Sequence, residues 1–360
     1  MHFAGIRVGL VGPLPPPAGG MANQTRQLAE LLQSAQAQVT LVQTNAPYSP
    51  AWAGRVPGVR AVFRLVPYLL ALWRAVGRSD VLHIMANSGW SWHLFAAPAI
   101  WIARLRGVPA VVNYRGGEAA EFLQGAQAVV RKSMAVTAGL LVPSAFLQDV
   151  FARFGMQAAI VPNIIDLARF RPRGAKLAQS VHIVVARNLE PLYDNTTAIR
   201  AFQIVQVQRP QARLTIAGSG PQEAELRQLV VDLGLQAQVH FTGRLDRDAM
   251  AALYREADTM LNPSLADNMP NSVLESMASG VPVVSTNVGG VPYMVQDGVT
   301  ALLVPPAQPQ AMAAACLRLL DNPDLWTRMQ QAGLAEVQRY TWGQVAPLLA
   351  AHYRQAIQAK

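Results

Sequence analysis

Short apolar runs alternate with amphipathic stretches along the whole chain. Ile6–Gly12, Val39–Thr44, Val81–Ala86, Ala110–Tyr114, Leu140–Pro143 and Ala159–Pro162 are continuous enough to predict strands covered on both faces. Between them, residues such as Met21, Thr25, Leu28 and Leu32 recur at the spacing of one helix face. The scheme then repeats. Val181–Ala186, Leu214–Ala217, Val239–Thr242, Thr259–Asn262, Val281–Thr286 and Ala301–Val304 predict a second set of strands. Strands alternating with helices form parallel sheets flanked by helices, so the expected fold class is α/β, with two doubly wound, Rossmann-like domains facing a cleft. The polar stretch Arg169-Phe170-Arg171-Pro172-Arg173-Gly174-Ala175-Lys176 separates the two sets. The expected domains are therefore 1–172 and 173–341, with an amphipathic helix over 342–360 in which Val345, Leu348, Leu349, Tyr353 and Ile357 recur.

Composition narrows the class. A length of 360 residues suits two domains, and 51% hydrophobic against 14% charged residues excludes a disordered chain, an acidic tail or a coiled coil. The single cysteine, Cys316, excludes a disulfide framework or a cysteine-built metal site and reads as a small core residue. The longest apolar run, Trp90–Ala103, is too short to span a bilayer and carries Ser91 and His93. The first residues show no basic stretch followed by a long apolar run, so no signal peptide is expected and the location is expected to be cytoplasmic.

Charge is divided unevenly. Residues 1–175 hold 16 Lys and Arg against 6 Asp and Glu, whereas 176–360 hold 14 against 15, so the whole excess behind the net +9 belongs to the first half. Such a half suits an anionic partner or simply a solvated basic face. Nucleic acid fits poorly, because no lysine cluster or known module is present. Within Arg60–Arg78, the apolar Val62, Phe63, Val66, Leu69, Leu70 and Trp73 share the stretch with Arg60, Arg64, Arg74 and Arg78. That pattern fits a peripheral helix in an anionic membrane surface as well as an ordinary helix packed on the sheet.

Open parallel sheets bind ligands beyond the C-terminal ends of their strands, which directs attention to four loops. Gly19-Gly20, after the first strand, allows close backbone approach at a helix start. The dinucleotide pattern Gly-x-Gly-x-x-Gly is absent there, and the second strand ends Gln43-Thr44-Asn45 without an acid. In the stretch Pro263 to Val284, a polar loop carrying Asp267 leads through Pro270 into a helix carrying Glu275 about one turn in. The amides near Asn271 and Ser272 suit a diphosphate, and two carboxylates beside an anion site suit hydroxyl groups, which together describe a nucleotide sugar. Arg187 ends a buried strand, where a phosphate or a neighbouring acid would meet its charge. Arg115-Gly116-Gly117 closes a strand of the first half and suits phosphate or a hydroxylated ligand.

Taken together, these loops resemble the GT-B glycosyltransferases of family 4, retaining enzymes that use nucleotide sugars. The resemblance covers nearly the whole chain and is strongest from Ile216-Ala217-Gly218-Ser219-Gly220-Pro221 through Phe241-Thr242-Gly243-Arg244 to Thr286-Asn287-Val288-Gly289-Gly290. The acid-x7-Glu signature is Asp267 to Glu275, and Val161-Pro162-Asn163 with Phe170-Arg171-Pro172 resembles the stretch before the linker. The resemblance implies a metal-independent hexosyltransferase without a cofactor. Glu275 would hold ribose hydroxyls and Asp267 sugar hydroxyls. Arg187 and the amides at Asn271 and Ser272 would meet the leaving diphosphate, Gly19 and Gly20 would close over the donor, and Arg244 would sit near the base. The helix from Trp342 would return to the first domain, where a sugar or lipid-linked acceptor would bind near the candidates His83 and Arg115. The implied setting is bacterial surface polysaccharide or glycolipid assembly.

Three positions depart from the family pattern. The first acid is Asp267 rather than Glu, the usual lysine five or six residues after the arginine is missing from Leu192-Tyr193-Asp194-Asn195, and Arg115 replaces a histidine. Two other classes stay open on these residues: a sugar-nucleotide epimerase of the same fold, and a donor-binding protein without turnover.

Overall fold

The computed structural model describes residues 2–16, 19–56, 59–172 and 181–359. The chain divides into two compact units, Met1–Asn163 with Trp342–Lys360, and Ile164–Thr341. In the first unit, β1 (Arg7–Gly12), β2 (Gln38–Gln43), β3 (Val81–Ala86), β4 (Ala110–Tyr114), β5 (Gly139–Val142) and β6 (Ala159–Ile160) form one parallel sheet in the order β2-β1-β3-β4-β5-β6. It is flanked by α1 (Gly20–Ser34), α2 (Val59–Val76), α3 (Ala97–Leu105), α4 (Ala119–Met134) and α5 (Ala145–Arg153). One face of β3 and β4 presents Leu82, Ile84, Val112 and Tyr114 to a core shared with Trp92, Leu123 and Phe151. Helix α2 adds Tyr68, Leu72, Ala75 and Val76 to that core.

The second unit repeats the architecture. Its strands β7 (His182–Ala186), β8 (Arg213–Ala217), β9 (Val239–Gly243), β10 (Thr259–Asn262), β11 (Val283–Thr286) and β12 (Ala301–Val304) run parallel in the order β12-β11-β10-β7-β8-β9. The helices are α6 (Asn195–Gln208), α7 (Glu223–Asp232), α8 (Arg247–Glu256), α9 (Asn271–Ala278), α10 (Pro309–Leu320) and α11 (Pro323–Glu336). Alternation along β7 explains its unbroken apolar run: Ile183 and Val185 enter one core with Phe202 and Leu214, while Val184 enters the other with Tyr254 and Met260. Cys316 is fully buried in the first of these, and burial pushes its thiol up to about 12, as a core residue requires. The last helix, α12 (Trp342–Gln358), belongs to the first unit, where Phe3 stacks on Trp342 at 5.5 Å.

Every strand predicted from the apolar runs is present, with ends shifted by at most two residues. The domain division is different. It falls between Asn163 and Ile164 and not after Pro172. The reason is packing: Ile165 donates its backbone N–H to the Tyr340 carbonyl at 2.9 Å, and Phe170 sits edge-on to Tyr254 in the core of the second unit. The end of the expected linker, Arg173–Lys176, lies outside the described residues. Among the described residues, no helix is long and apolar enough to cross a membrane.

Candidate active site

In the second sheet, strand order reverses between β7 and β10, the switch point at which open α/β sheets bind ligands. Adjacency of these strands brings Arg187, the residue after β7, beside the loop that follows β10. The Arg187 guanidinium donates to Ser264 Oγ from Nε at 3.0 Å and from the Nη2 nitrogen at 2.8 Å, and forms an ion pair with Asp267. Ser264 Oγ in turn donates to Asn262 Oδ1 at 3.1 Å, and Thr286 Oγ1 donates to the Ser264 carbonyl at 2.6 Å. The guanidinium also lies over the Tyr193 ring, 4.7 Å from its centroid. Burial lowers Arg187 to about 10, which leaves it protonated at neutral pH. The neighbouring acid weighed from the sequence as a counter-charge is Asp267, the first acid of the signature.

Two pairs of glycines hold the loops in place. A Cβ on Gly218 or Gly220 would overlap the carbonyl oxygens of Arg187 and Leu189, so only glycine lets the β8 loop support the β7 loop. Gly289 and Gly290 back the carbonyls of Asp267 and Asn268 in the same way, and Gly290 N–H donates to the Asp267 carbonyl at 2.8 Å.

Helix α9 starts directly after Pro270, with no side-chain cap and no acid in its first turn. Asp194, Asp246 and Asn322 cap α6, α8 and α11 with their side chains, whereas the N-cap of α9 is Pro270, which has no side-chain acceptor to offer. Asn271 and Ser272 occupy the first turn of α9, and Ser272 Oγ is buried with no hydrogen-bond partner among the described residues. Glu275, one turn further, is pushed up to about 7 by burial, against the opposing pull of Arg247, Arg187 and a hydrogen bond from Tyr254. The single Tyr254 hydroxyl proton is shared with the Ser272 carbonyl, 3.2 Å from the hydroxyl oxygen. Asp267, Arg187 and Glu275 are thus brought together at one end of one sheet. Arg244 is exposed after β9, with its Nε donating to Ser219 Oγ at 2.6 Å.

The remaining candidates belong to the first unit. Gly19 precedes α1 in an extended conformation and Gly20 is its first residue; a Cβ on Gly19 would meet nothing within 4 Å. His83, the other acceptor-side candidate, is fully buried on β3. Both ring nitrogens are engaged, Nε2 with Asn113 Nδ2 at 3.2 Å and Nδ1 with the Tyr353 hydroxyl at 2.9 Å. Because Arg115 Nε donates to Asn113 Oδ1 at 3.1 Å, the Asn113 amide must turn its NH₂ toward His83. His83 is then the neutral tautomer with its proton on Nδ1, in keeping with burial lowering it to about 3. Arg115 continues the chain of bonds to Asn163 Oδ1. It follows β4 directly, half-buried, and burial lowers it to about 10.

Sequence reading missed Tyr193, Tyr254, Arg247 and Ser264. Tyr193 was visible only as the absence of a lysine. Asp194 in the same stretch caps α6, accepting from Thr197 N–H at 3.2 Å and Thr197 Oγ1 at 2.6 Å.

Comparison with known proteins agrees with this geometry. Residues 18–169 match the family described as Glycosyltransferase Family 4, and residues 180–322 match Glycosyl transferases group 1. The chain is 29% identical over 219 residues to D-inositol 3-phosphate glycosyltransferase of Streptomyces scabiei, covering 56% of this chain and 49% of that protein. It is 31% identical over 226 residues to MMP alpha-(1->4)-mannosyltransferase of Mycolicibacterium hassiacum, covering 61% and 54%. It therefore spans about half the length of these curated relatives. In fold it is similar to sucrose-phosphate synthase of Thermosynechococcus elongatus, with a TM-score of 0.79 at 21% identity over 99% of this chain and 100% of that one. It is also similar to Anabaena HepE in complex with UDP-glucose, with a TM-score of 0.74 at 18% identity over 96% and 100%. With both family models matched in sequence order, and with two parallel α/β units of this kind, the chain belongs to the GT-B glycosyltransferases of family 4.

Proposed function

We propose that the protein is a retaining glycosyltransferase that moves a hexosyl group from a nucleoside diphosphate sugar to an acceptor bound by the first unit. The observation that carries this reading is the convergence of Arg187, Asp267 and Glu275 on the start of α9. Glu275 would accept from the ribose hydroxyls and Asp267 from hydroxyls of the transferred sugar. The acceptor hydroxyl attacks the anomeric carbon on the face the leaving group departs from. The bond between that carbon and the phosphate oxygen breaks, and the acceptor's proton passes to that oxygen. Arg187 and the amides of Asn271 and Ser272 meet the charge that develops on the diphosphate, so catalysis is mainly electrostatic and this charge balance calls for no metal. Arg244 would lie near the base, Gly19 and Gly20 would offer close backbone approach to a ligand, and Arg115 is the acceptor-side cation. UDP-glucose, which HepE holds, is the first donor to try.

A membrane-borne, lipid-linked acceptor suits the basic first half, as in surface polysaccharide or glycolipid assembly on the cytoplasmic face. Nucleoside diphosphate release over a panel of donors, with and without chelator, tests the reading. Turnover that survives chelation is expected; none with any donor and acceptor would overturn it. Tyr193 at a lysine position favours one rival, a donor-binding protein without turnover, which would give calorimetric binding and no release.

A further inference from the structure

Helix α2 carries one apolar face more than the fold uses. Tyr68, Leu72, Ala75 and Val76 bury its inner side, and the Tyr68 hydroxyl donates to the Phe95 carbonyl at 2.8 Å. Yet Val62, Val66, Leu69, Leu70 and Trp73 stand 58%, 50%, 36%, 55% and 47% exposed. At about 100° per residue these five fall within an arc of about 100°, a continuous stripe about 17 Å long beside the buried one. The next arc holds the exposed Arg60 and Arg74, and Arg78 follows in the turn after the helix. The stripe continues at both ends. Trp52, 56% exposed, packs edge-on to Phe63 at 5.7 Å. Arg106, the residue after α3, lies over the Trp73 ring at 4.6 Å, and its chain neighbour Leu105, at the end of α3, is 77% exposed.

Charge selects the occupant. No acidic residue occurs between Glu30 and Asp80, and Asp80 is itself paired with Arg7, its Oδ1 accepting from Arg7 Nε at 3.1 Å. A second copy of the chain seated on the stripe about a two-fold axis would set arginine against arginine. An anionic bilayer offers instead an apolar layer beneath a sheet of phosphates, with tryptophan suited to the boundary between them. We infer that the outer face of α2, extended by Trp52 and Leu105, lies on the surface of an anionic phospholipid bilayer, its valines, leucines and tryptophans in the acyl boundary and Arg60, Arg74 and Arg78 among the headgroups. The inference deepens the proposed membrane-borne acceptor by naming the docking face, but it stands on α2 and is tested without donor.

The test is co-sedimentation of the whole chain with vesicles of phosphatidylcholine alone and of phosphatidylcholine mixed with phosphatidylglycerol. Binding to the mixed vesicles only, weakening as salt rises, is expected. Arg60→Gln/Arg74→Gln/Arg78→Gln should lower partition about fivefold per arginine, on the order of a hundredfold for the three. Val66→Glu/Leu70→Glu should abolish binding with an unchanged melting temperature, because both side chains are exposed. Equal recovery on neutral and mixed vesicles, or undiminished recovery of either variant, overturns the inference. So does sedimentation velocity showing a dimer that Val66→Glu/Leu70→Glu dissolves while vesicle binding persists. Calorimetric titration of the unaltered chain with UDP separates the two readings: intact nucleotide binding beside absent vesicle binding would remove the docking face and leave the transfer reading standing.

Discussion

An arginine at the end of a buried strand must find its counter-charge, and Arg187 has found one in the residue that is proposed to hold the donor sugar. On that proposal, donor binding would exchange partners, Arg187 turning to phosphate and Asp267 to hydroxyls. Asp267→Asn should separate the two roles: affinity for a free nucleoside diphosphate holds or rises, while turnover of the nucleotide sugar falls by about 10²-fold or more, read by calorimetry and by release assay. Glu275 gives a second residue-scale expectation. Its carboxyl sits at about 7 against an ordinary 4.5, so between those values the folded chain keeps a proton that the unfolded chain has released. The stability this contributes is fully present below about 4.5 and is lost as pH rises through about 7. Glu275→Gln should flatten that slope in urea titrations. It should also remove a rise in nucleotide affinity through about pH 7, because only the ionised carboxylate accepts from both ribose hydroxyls.

At the scale of elements, the site depends on loops that lean on one another's backbone. Gly290→Ala places a Cβ on the Asn268 carbonyl and should cost about 1–3 kcal/mol together with most nucleotide affinity. Gly19→Ala is the contrast, since Gly19 is extended and meets nothing, so its melting temperature should not move. Helix α12 is tied to the first sheet by one buried hydroxyl. Tyr353→Phe strands the Nδ1 proton of His83 and should cost about 1–3 kcal/mol in chemical denaturation. These elements differ in how legible they were. Parallel strands covered on both faces write themselves as unbroken apolar runs, which is why β7 and β10 could be read directly and the meeting of Arg187 with Asp267 anticipated from strand-end positions. The domain division was misread because two apolar anchors, Ile165 and Phe170, outweigh the polar residues around them. The surroundings of His83 could not be read because nothing near it in the sequence marks the tyrosine 270 positions away that covers it. Tyr193 could not be read because an aromatic ring beneath a guanidinium leaves no pattern of its own.

At the scale of the molecule, the division of charge matches the proposed division of labour. The unit with the arginine excess would face lipid and acceptor, and the nearly neutral one would take the nucleotide. Each unit has its own core, so ligand binding should act on them unequally. A nucleoside diphosphate at 100 times its dissociation constant should stabilise the second unit by about 2.7 kcal/mol. In calorimetric scans, the transition of that unit should move up while the other stays in place.

The return of α12 to the first unit also sets the order in which the chain can mature. Residues 164–341 form a continuous insertion, and the helix that covers His83 and stacks on Phe3 is translated only after all of it. The first half to leave the ribosome is therefore the last to be finished, reversing the usual vectorial sequence. Throughout synthesis of the inserted unit, the nascent first sheet waits without the helix that packs on it, and that interval is when chaperone binding is expected.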